Sequence, residues 1–188
     1  MPRQGLNTEK VVAEGLVLLD ERGSQGLSLA ALATRLGVKV PSLYKHIDGL
    51  DDLRTRLFRH VNAELYATLK EASGGGQGRG AVLSMCRAYS DYVTSRKGRY
   101  EATAFGRRDT LDLNSRYFEL LETLVAGCGV PDERLSEATF ALSAVMRGVA
   151  QLVKLGIYGD DETAARAFHT LVNGVLDIYA SEQPLRAG

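Results

Sequence analysis

Residues 28–47 read SLAALATRLGVKVPSLYKHI, a stretch that predicts two short helices joined by a tight turn. The first helix carries apolar residues at the one-face spacing i, i+3, i+4, i+7, namely Leu29, Leu32, Ala33 and Leu36. The second helix, predicted over 39–47, repeats this spacing in Val40, Leu43, Tyr44 and Ile47. Ser28 is a good N-cap for the first helix, and Gly37 is suited to end it. The stretch therefore predicts a helix-turn-helix, whose second helix can enter the major groove of DNA.

The remainder of the chain also has helical patterns, and no stretch shows the sustained alternation of a strand. A first helix is expected between Asn7, a good N-cap, and Gly23, and a fourth runs from about Gly49 to Ser73. One side of the fourth helix is apolar and carries Leu53, Leu57, Val61, Leu65 and Leu69. At ~1.5 Å per residue this helix spans ~37 Å and can link two domains. The predicted fold class is all-α.

The glycine-rich segment 74–80 interrupts the helical pattern and is expected to be a flexible hinge. Beyond it, the spacing predicts helices at about 81–96, 99–106, 111–128, 133–157 and 161–181. The last of these is apolar on two faces and so needs two partners to bury against. One partner is its own core, and the other is a second copy of the chain; a fully interior helix is the alternative. We therefore predict a homodimer.

Composition limits the classes of function. The 188 residues include 23 basic and 23 acidic side chains, and 45% of residues are hydrophobic, as in ordinary globular proteins. No apolar run is long enough to span a bilayer, and the N-terminus is too short and polar for a signal peptide, so we expect a cytoplasmic protein without membrane contacts. The two cysteines and three histidines are scattered along the chain without metal-ligand spacing. We expect no catalytic residues, no metal and no cofactor.

The outward face of the second short helix carries the groups that DNA recognition needs. These are Lys39, Ser42, Lys45 and His46, with Tyr44 at the edge. Cations suit phosphates and guanine edges, and hydroxyl, imidazole and phenol groups suit base edges or phosphates. The alternative is a solvated helix surface with incidental lysines. Although residues 1–73 hold 10 basic and 9 acidic side chains, residues 35–47 carry Arg35, Lys39 and Lys45 with no acid. The sequence thus favours a small basic face over bulk attraction to DNA.

Residues 6–66 resemble the DNA-binding domain of the tetracycline-repressor (TetR) family, most closely in the stretch Leu36–Ile47. Gly26–Leu29 before this stretch and Asp52–Leu53 after it match the same pattern. The C-terminal part is similar to the subgroup whose ligand domain carries a Trp-His-Gly signature, where this chain reads Met146-Arg147-Gly148. The resemblance implies a dimeric transcriptional repressor that binds a palindromic DNA operator and a small-molecule effector.

The resemblance also implies roles for individual residues. Ser28 would contact a phosphate; Lys39, Val40 and Ser42 would face base edges; and Tyr44 and His46 would contact the backbone or thymine. Two positions depart from the family pattern. At the start of the fourth helix the family often has a lysine, and this chain has Leu50. At the N-cap of the recognition helix the family often has Ser or Thr, and this chain has Lys39. Lys39 and Lys45 are expected to supply the missing cations.

Two further groups of residues are predicted in the C-terminal part. Large side chains and one polar pair are candidates for an effector pocket: Met85, Tyr89, Tyr92, Phe105, Tyr117, Phe118, Phe140, Met146, Arg147 and Gln151. For each aromatic or methionine side chain, plain core is the alternative; for Arg147, it is pairing with a surface carboxylate. Apolar residues of the last two helices are candidates for the dimer interface: Leu142, Val149, Phe168, Leu171, Val172, Val175, Ile178 and Tyr179.

The predicted organisation is a helix-turn-helix domain at 6–66, with its motif at 28–47, and an effector-binding and dimerisation domain at 75–188. The main hypothesis is a DNA-binding transcriptional regulator. The alternatives are an activator, which the sequence does not separate from a repressor, and an all-α enzyme or effector-binding protein with a vestigial helix-turn-helix. An enzyme would have no reason to keep the acid-free outward face, and this favours the regulator.

Overall fold

The computed structural model describes residues 5–105, 112–157 and 161–181. These residues form nine α-helices and two short 3₁₀ turns, at Ser24–Gly26 and Ala102–Phe105. In chain order the helices are α1 (Thr8–Arg22), α2 (Leu29–Leu36), α3 (Val40–Leu43), α4 (Leu50–Ala72), α5 (Arg79–Ser95), α6 (Lys97–Glu101), α7 (Asp112–Ala126), α8 (Asp132–Lys154) and α9 (Asp161–Ala180). The all-α prediction is confirmed for the described part of the chain.

The helix predicted over 39–47 is shorter in the structure. Regular α-helix ends at Leu43, and residues 44–46 form a turn in which His46 N–H donates to Leu43 C=O at 2.8 Å. Pro41 lies in the first turn and has no N–H to donate, so this segment has few helical hydrogen bonds of its own. The helix predicted at 99–106 is likewise divided into α6 and a 3₁₀ turn.

Contacts along the chain define two compact units. The first comprises the residues up to Glu64 together with Arg96–Leu113, and the second comprises Leu65–Ser95 and the residues from Asn114 onward. Helix α4 contributes to both units. The sequence-based division differs from these units mainly in residues 96–113, which it grouped with the C-terminal domain.

The first unit has a leucine-rich core formed by α1, α2, α3 and α4. Leu19, Leu32, Leu43 and Leu53 are each 0% exposed, and burial of one such side chain is worth ~2 kcal/mol. The apolar side predicted for α4 is confirmed, because all five of its residues are at most 7% exposed. Helix α6 joins this unit by lying on the end of α1. A Cβ added at Gly98 would lie 1.8 Å from the Leu19 carbonyl oxygen, so this approach of the two backbones requires glycine.

An ion-pair cluster holds α6 against α1 and α4. Arg99 donates to both carboxyl oxygens of Asp20 at 2.8–2.9 Å and to Glu64 at 2.8 Å, and Arg96 also pairs with Glu64. The hydrogen bond to Asp20 raises the pKa of Arg99, and partial burial only partly opposes this effect. In addition, Glu101 accepts a hydrogen bond from Ser24 N–H at 2.7 Å. Residues 96–101 are therefore fixed to the first unit at several points.

The carboxylate of Asp52 stabilises the start of α4 through hydrogen bonds. It accepts a hydrogen bond from Asp48 N–H at 3.0 Å, and Arg56 Nε donates to its two oxygens at 2.9 and 3.0 Å. Partial burial by itself would raise the pKa of Asp52, but the hydrogen bonds from Arg56 and Asp48 outweigh it. The pKa of Asp52 therefore lies below its usual range, because these donors stabilise the ionised form.

The second unit is a helical bundle in which α8 packs against both α5 and α9. Arg79 at the start of α5 donates to Asn173 Oδ1 at 2.9 Å and to Asp177 Oδ1 at 2.6 Å on α9. Near the end of α9, Arg134 of α8 donates to the carbonyl oxygens of Tyr179 and Ser181 at 3.0 and 2.8 Å. The C-terminal half of α9 is thus held by arginines from two different helices. Within the described ranges, no helix has both the length and the apolarity to cross a bilayer.

Replacement of Gly98 by alanine is expected to destabilise the first unit. The new methyl group would overlap the Leu19 carbonyl oxygen, and overpacking of this kind costs about 1–3 kcal/mol. Urea unfolding of the full chain measures the change. Gly80→Ala is the matched control, since a Cβ at Gly80 meets no atom within 4 Å. Equal stability of Gly98→Ala and Gly80→Ala would contradict the close approach of α6 and α1.

Replacement of Asp52 by asparagine is expected to lower the free energy of unfolding at pH 7 by less than about 1 kcal/mol, because solvent screens this partly exposed site. The folded-state pKa lies below the unfolded value, so the stabilisation is complete above the ordinary aspartate pKa of about 3.9. It is lost as the pH falls through the lower folded-state pKa. The difference between wild type and variant in urea unfolding should therefore shrink from pH 7 to pH 3. A constant difference would show that the charge of Asp52 is not what stabilises α4.

Candidate DNA-binding surface

The turn between α2 and α3 is set by Gly37, whose φ of 67° and ψ of 32° lie in the left-handed region. Gly37 N–H donates to Thr34 C=O at 3.2 Å, and Val38 N–H donates to Ala33 C=O at 3.0 Å. This pair of bonds is the Schellman arrangement, which glycine adopts without the steric cost of a side chain. At the other end of α2, Ser28 Oγ accepts from Ala31 N–H at 3.1 Å, as its predicted capping role requires. The local sequence therefore determines both ends of α2.

Burial fixes which face of the two short helices points outward. Leu32 and Ala33 of α2 and Leu43 and Ile47 of the following segment are at most 3% exposed. Thr8 Oγ1 donates to the His46 carbonyl oxygen at 3.1 Å, which attaches the end of this segment to α1. The opposite face of residues 39–46 consequently faces solvent.

We define the recognition surface as Lys39, Val40, Ser42, Tyr44, Lys45 and His46. Lys39, Tyr44 and Lys45 are exposed, Tyr44 at 57%, whereas Val40, Ser42 and His46 are half-buried. Neither lysine forms an ion pair with any described residue. The surface thus offers two unpaired ammonium groups beside phenol, hydroxyl and imidazole groups within one short segment. These are the groups that contact phosphates and base edges.

Arg35, which the sequence groups with Lys39 and Lys45, is not a free cation. Its Nε lies 2.5 Å from Glu14 Oε2, and its Nη1 lies 2.9 and 3.0 Å from the two Glu21 oxygens. The hydrogen bond that Arg35 donates to Glu14 is the main cause that raises the pKa of Arg35. Sequence reasoning missed this pairing because the acids lie on α1. The available signal was the seven-residue separation of Glu14 and Glu21, which places them on one face of α1.

The first two turns of α4 supply no unpaired cation to the recognition surface. Leu50, at the position where the family often has lysine, is half-buried. The first two arginines of α4 are both paired, Arg54 with Asp51 at 3.4 Å and Arg56 with Asp52 at 2.9 Å. The Ser28 hydroxyl, although it accepts from Ala31, can still donate its own proton to a phosphate. Lys39 and Lys45 are therefore the available cations of the α2–α3 region.

The second unit contains a groove of about 510 Å³ between α5, α8 and α9. None of the ten residues predicted for an effector pocket lines it. Five are buried in the bundle, namely Met85, Tyr89, Tyr92, Tyr117 and Met146. The other five are half-buried or exposed. Phe105 belongs to the first unit and its ring lies 5.7 Å from the Arg54 guanidinium, and the half-buried Phe118 packs beside Tyr117. Phe140 is 71% exposed, and Arg147 and Gln151 are also exposed. The groove is formed by residues that sequence reasoning did not propose for a pocket.

Several of the buried residues form a polar cluster within the bundle. Ser143 Oγ donates to Tyr117 Oη at 3.2 Å, and Tyr117 Oη donates to Met146 Sδ at 3.4 Å. The Arg147 guanidinium lies 5.8 Å from the centre of the Tyr117 ring and forms no ion pair with the described residues. The alternative considered for Arg147, pairing with a surface carboxylate, is thus not found among the described residues, and an aromatic contact takes its place.

The residues predicted for the dimer interface divide into two groups. Leu142, Phe168, Val172 and Tyr179 are buried within their own unit at 9% exposure or less, and Val149 and Val175 are half-buried. Leu171 and Ile178, seven residues apart on α9, are 47% and 40% exposed. The last helix therefore does have an inner apolar face and a second apolar strip open to solvent.

No cluster of three or more metal-ligating side chains is present in the part of the chain that the structure describes. Burial raises the pKa of the Cys86 thiol to about 12, so this side chain is a neutral thiol at physiological pH.

Comparison with known proteins is consistent with this architecture. Residues 82–175, half of the chain, match the family model described as the tetracycline repressor-like C-terminal domain. An HTH-type transcriptional regulator of Mycobacterium tuberculosis is 30% identical over 167 residues, which cover 85% of this chain and 76% of that protein. Another HTH-type transcriptional regulator, from Bacillus subtilis, is 28% identical over 182 residues, covering 93% and 95% of the two chains.

Solved structures share the fold at lower identity. A protein from Rhodococcus sp. RHA1 superposes with a TM-score of 0.78 at 19% identity and covers 93% of this chain and 98% of its own. A TetR variant from Acinetobacter baumannii in complex with minocycline has a TM-score of 0.66 at 20% identity, over 97% and 100% of the two chains. The family-model match and the 30% identical relative show that the chain belongs to the tetracycline-repressor (TetR) family of transcriptional regulators.

Proposed function

We propose that this chain is a dimeric transcriptional repressor that binds a palindromic DNA operator and is released from it by a small-molecule effector. The observation that carries the proposal is the recognition surface, where the ammonium groups of Lys39 and Lys45 have no acidic partner among the described residues. Family membership supports the same function, since the relatives named above are HTH-type transcriptional regulators.

The roles within the recognition surface follow from chemistry and position. Lys39, at the N-cap of α3, is exposed, so its ammonium group is available to a phosphate or a guanine edge. The exposed phenol of Tyr44 and the ammonium of Lys45 are suited to the DNA backbone, and Ser42 and Val40 to a base edge and a thymine methyl group. A short helix that carries these groups recognises a short site. Such binding does not need the large positive charge of a protein that coats DNA without regard to sequence, which agrees with the zero net charge of the chain.

Dimerisation would align two recognition surfaces with the two halves of a palindrome. In helix-turn-helix dimers the half-sites are about one DNA turn, roughly 34–36 Å, apart. The exposed strip of Leu171 and Ile178 on α9 supports a helix-to-helix interface, because large apolar side chains at 40–47% exposure gain by burial against a second copy.

Release by an effector requires a ligand that prefers the DNA-free state. A difference of ~3 kcal/mol in binding free energy between the two states shifts their ratio more than a hundredfold. The groove of about 510 Å³ in the second unit is of a size suited to a small molecule, and the related TetR structure contains minocycline. Helix α4 contributes residues to both units, and a tilt of α4 would change the spacing of the two recognition surfaces.

Replacement of Lys39 by alanine is expected to weaken operator binding and to reduce its salt dependence. Each lysine that neutralises a phosphate releases about one counterion, so the slope of log affinity against log salt should fall by about one charge per protomer, or about two per dimer. Gel shifts with the intergenic DNA beside the gene, repeated over a range of salt concentrations, measure the slope.

Arg35→Gln provides the control for the Lys39 variant. Arg35 is already paired with Glu14 and Glu21, so its replacement should leave the salt slope close to that of wild type. An unchanged slope for Lys39→Ala, or an equal loss for both variants, would contradict the assigned role of Lys39. Absence of any sequence-selective shift by wild-type protein would overturn the proposed function itself. Transcription from that intergenic DNA with and without the protein distinguishes repression from activation.

Replacement of Leu171 by glutamate is expected to convert the dimer into a monomer. The carboxylate would be placed in an apolar interface without a partner, at a cost of several kcal/mol for each copy. Sedimentation velocity measures the change in mass. Ala126→Glu adds the same charge to an exposed position on α7 and should leave the dimer intact. A monomeric wild-type protein, or a dimeric Leu171→Glu variant, would contradict the proposed interface.

A further inference from the structure

The groove in the second unit has two walls of different polarity. Helix α5 contributes Ser84, Arg87, Ser90, Asp91 and Thr94 to one wall, with the apolar Leu83 among them. These residues recur at helical spacing along one face of α5 and extend over about 15 Å at ~1.5 Å per residue. Because Thr94 donates its hydroxyl proton to the carbonyl oxygens of Ser90 and Asp91, it remains available only as an acceptor.

The opposite wall and the floor are mainly apolar. Helices α8 and α9 contribute Val149, Val153, Ala165, Phe168 and Val172, and His169 adds one polar side chain at the rim. The floor includes Cys86, whose thiol is 1% exposed and is kept neutral by its burial. An apolar surface therefore faces a polar one across the groove.

The charged groups of the polar wall are not satisfied by each other. Arg87 and Asp91 lie one helical turn apart, yet they form no ion pair with each other or with any other described residue. Ser84 and Ser90 also make no side-chain hydrogen bond within the described ranges. The wall thus offers a cation, an acceptor and two hydroxyls to a ligand along one line.

We propose that the groove binds a rigid, elongated molecule with hydroxyl groups and one anionic group on one face and a hydrocarbon surface on the other. The anionic group would pair with Arg87, the hydroxyl groups would bond to Asp91 and the serines, and the hydrocarbon face would pack on Val149, Val153 and Phe168. A flexible chain with a single polar end would leave most of the polar wall without partners. This inference rests on the proposed function in that it names the class of effector.

Calorimetric titration of the full chain without DNA tests the ligand class. The probes are cholate, a rigid steroid with hydroxyl groups on one face, and dodecanoate, a linear carboxylate. We expect cholate to bind about tenfold or more tightly than dodecanoate, because its hydroxyl groups satisfy polar side chains of the α5 wall that dodecanoate leaves without partners. Equal binding of the two probes, stronger binding of dodecanoate, or no binding of either would overturn the inference.

Two variants locate the binding site. Ala165→Trp fills the groove from α9 and should weaken cholate binding by about tenfold or more, whereas Ala126→Trp on α7, outside the groove, should not. The double variant Ser84→Ala with Ser90→Ala should weaken cholate binding but leave dodecanoate binding unchanged. Circular dichroism and sedimentation show whether each variant keeps its fold and its oligomeric state. Cholate binding that is insensitive to all three groove substitutions would place the ligand elsewhere and overturn the inference.

The titration is independent of DNA, so its result separates the inference from the proposed function. If cholate binds in the groove but does not release the operator in a gel shift, the ligand class stands and the effector mechanism fails. If the operator is bound specifically and neither probe binds the protein, the regulator function stands and the ligand class fails.

Discussion

The left-handed backbone at Gly37 is the constraint on which the DNA-binding surface depends. The turn closes α2 with two hydrogen bonds and directs the chain into α3 after only three residues. Leu43 and Ile47 are thereby placed against the core of the first unit, and their burial leaves Lys39, Tyr44 and Lys45 toward solvent. A residue with a Cβ at this conformation would add strain of roughly 1–2 kcal/mol to the first unit. The chemistry of the surface is thus a consequence of one backbone geometry.

Most of the described arginines in the first unit form ion pairs within that unit. Arg35, Arg54, Arg56 and Arg99 each pair with acids of the same unit. The cations without acidic partners in the α2–α3 region are the two lysines of the recognition surface. This division explains why a nearly neutral N-terminal part is compatible with binding to a polyanion, since only the position of the unpaired charge determines where phosphates are attracted.

Much of the fold was predictable because helical periodicity and capping residues are local signals. Asn7, Ser28 and Gly37 mark helix ends that the structure confirms, and the apolar stripe of α4 is fully buried. The pairing of Arg35 with α1 and the approach of Gly98 to Leu19 were not predictable in this way, because they join residues distant in the sequence. The groove was missed for a related reason. Its walls come from three helices, and its polar wall on α5 consists of ordinary surface residues that only the fold places opposite an apolar wall.

The brevity of α3 has a consequence for how the recognition surface stays ordered. A single helical turn of four residues, one of them proline, is far below the length at which an isolated helix is stable in water. Its backbone amides should therefore exchange with deuterium only when the core behind it opens. The free energy of this opening is set by the burial of Leu43 and Ile47 and by the hydrogen bond between Thr8 and His46. Solvent-facing positions of α3 can then change during evolution with little effect on folding, while conservative changes at the buried positions would alter DNA binding without touching DNA.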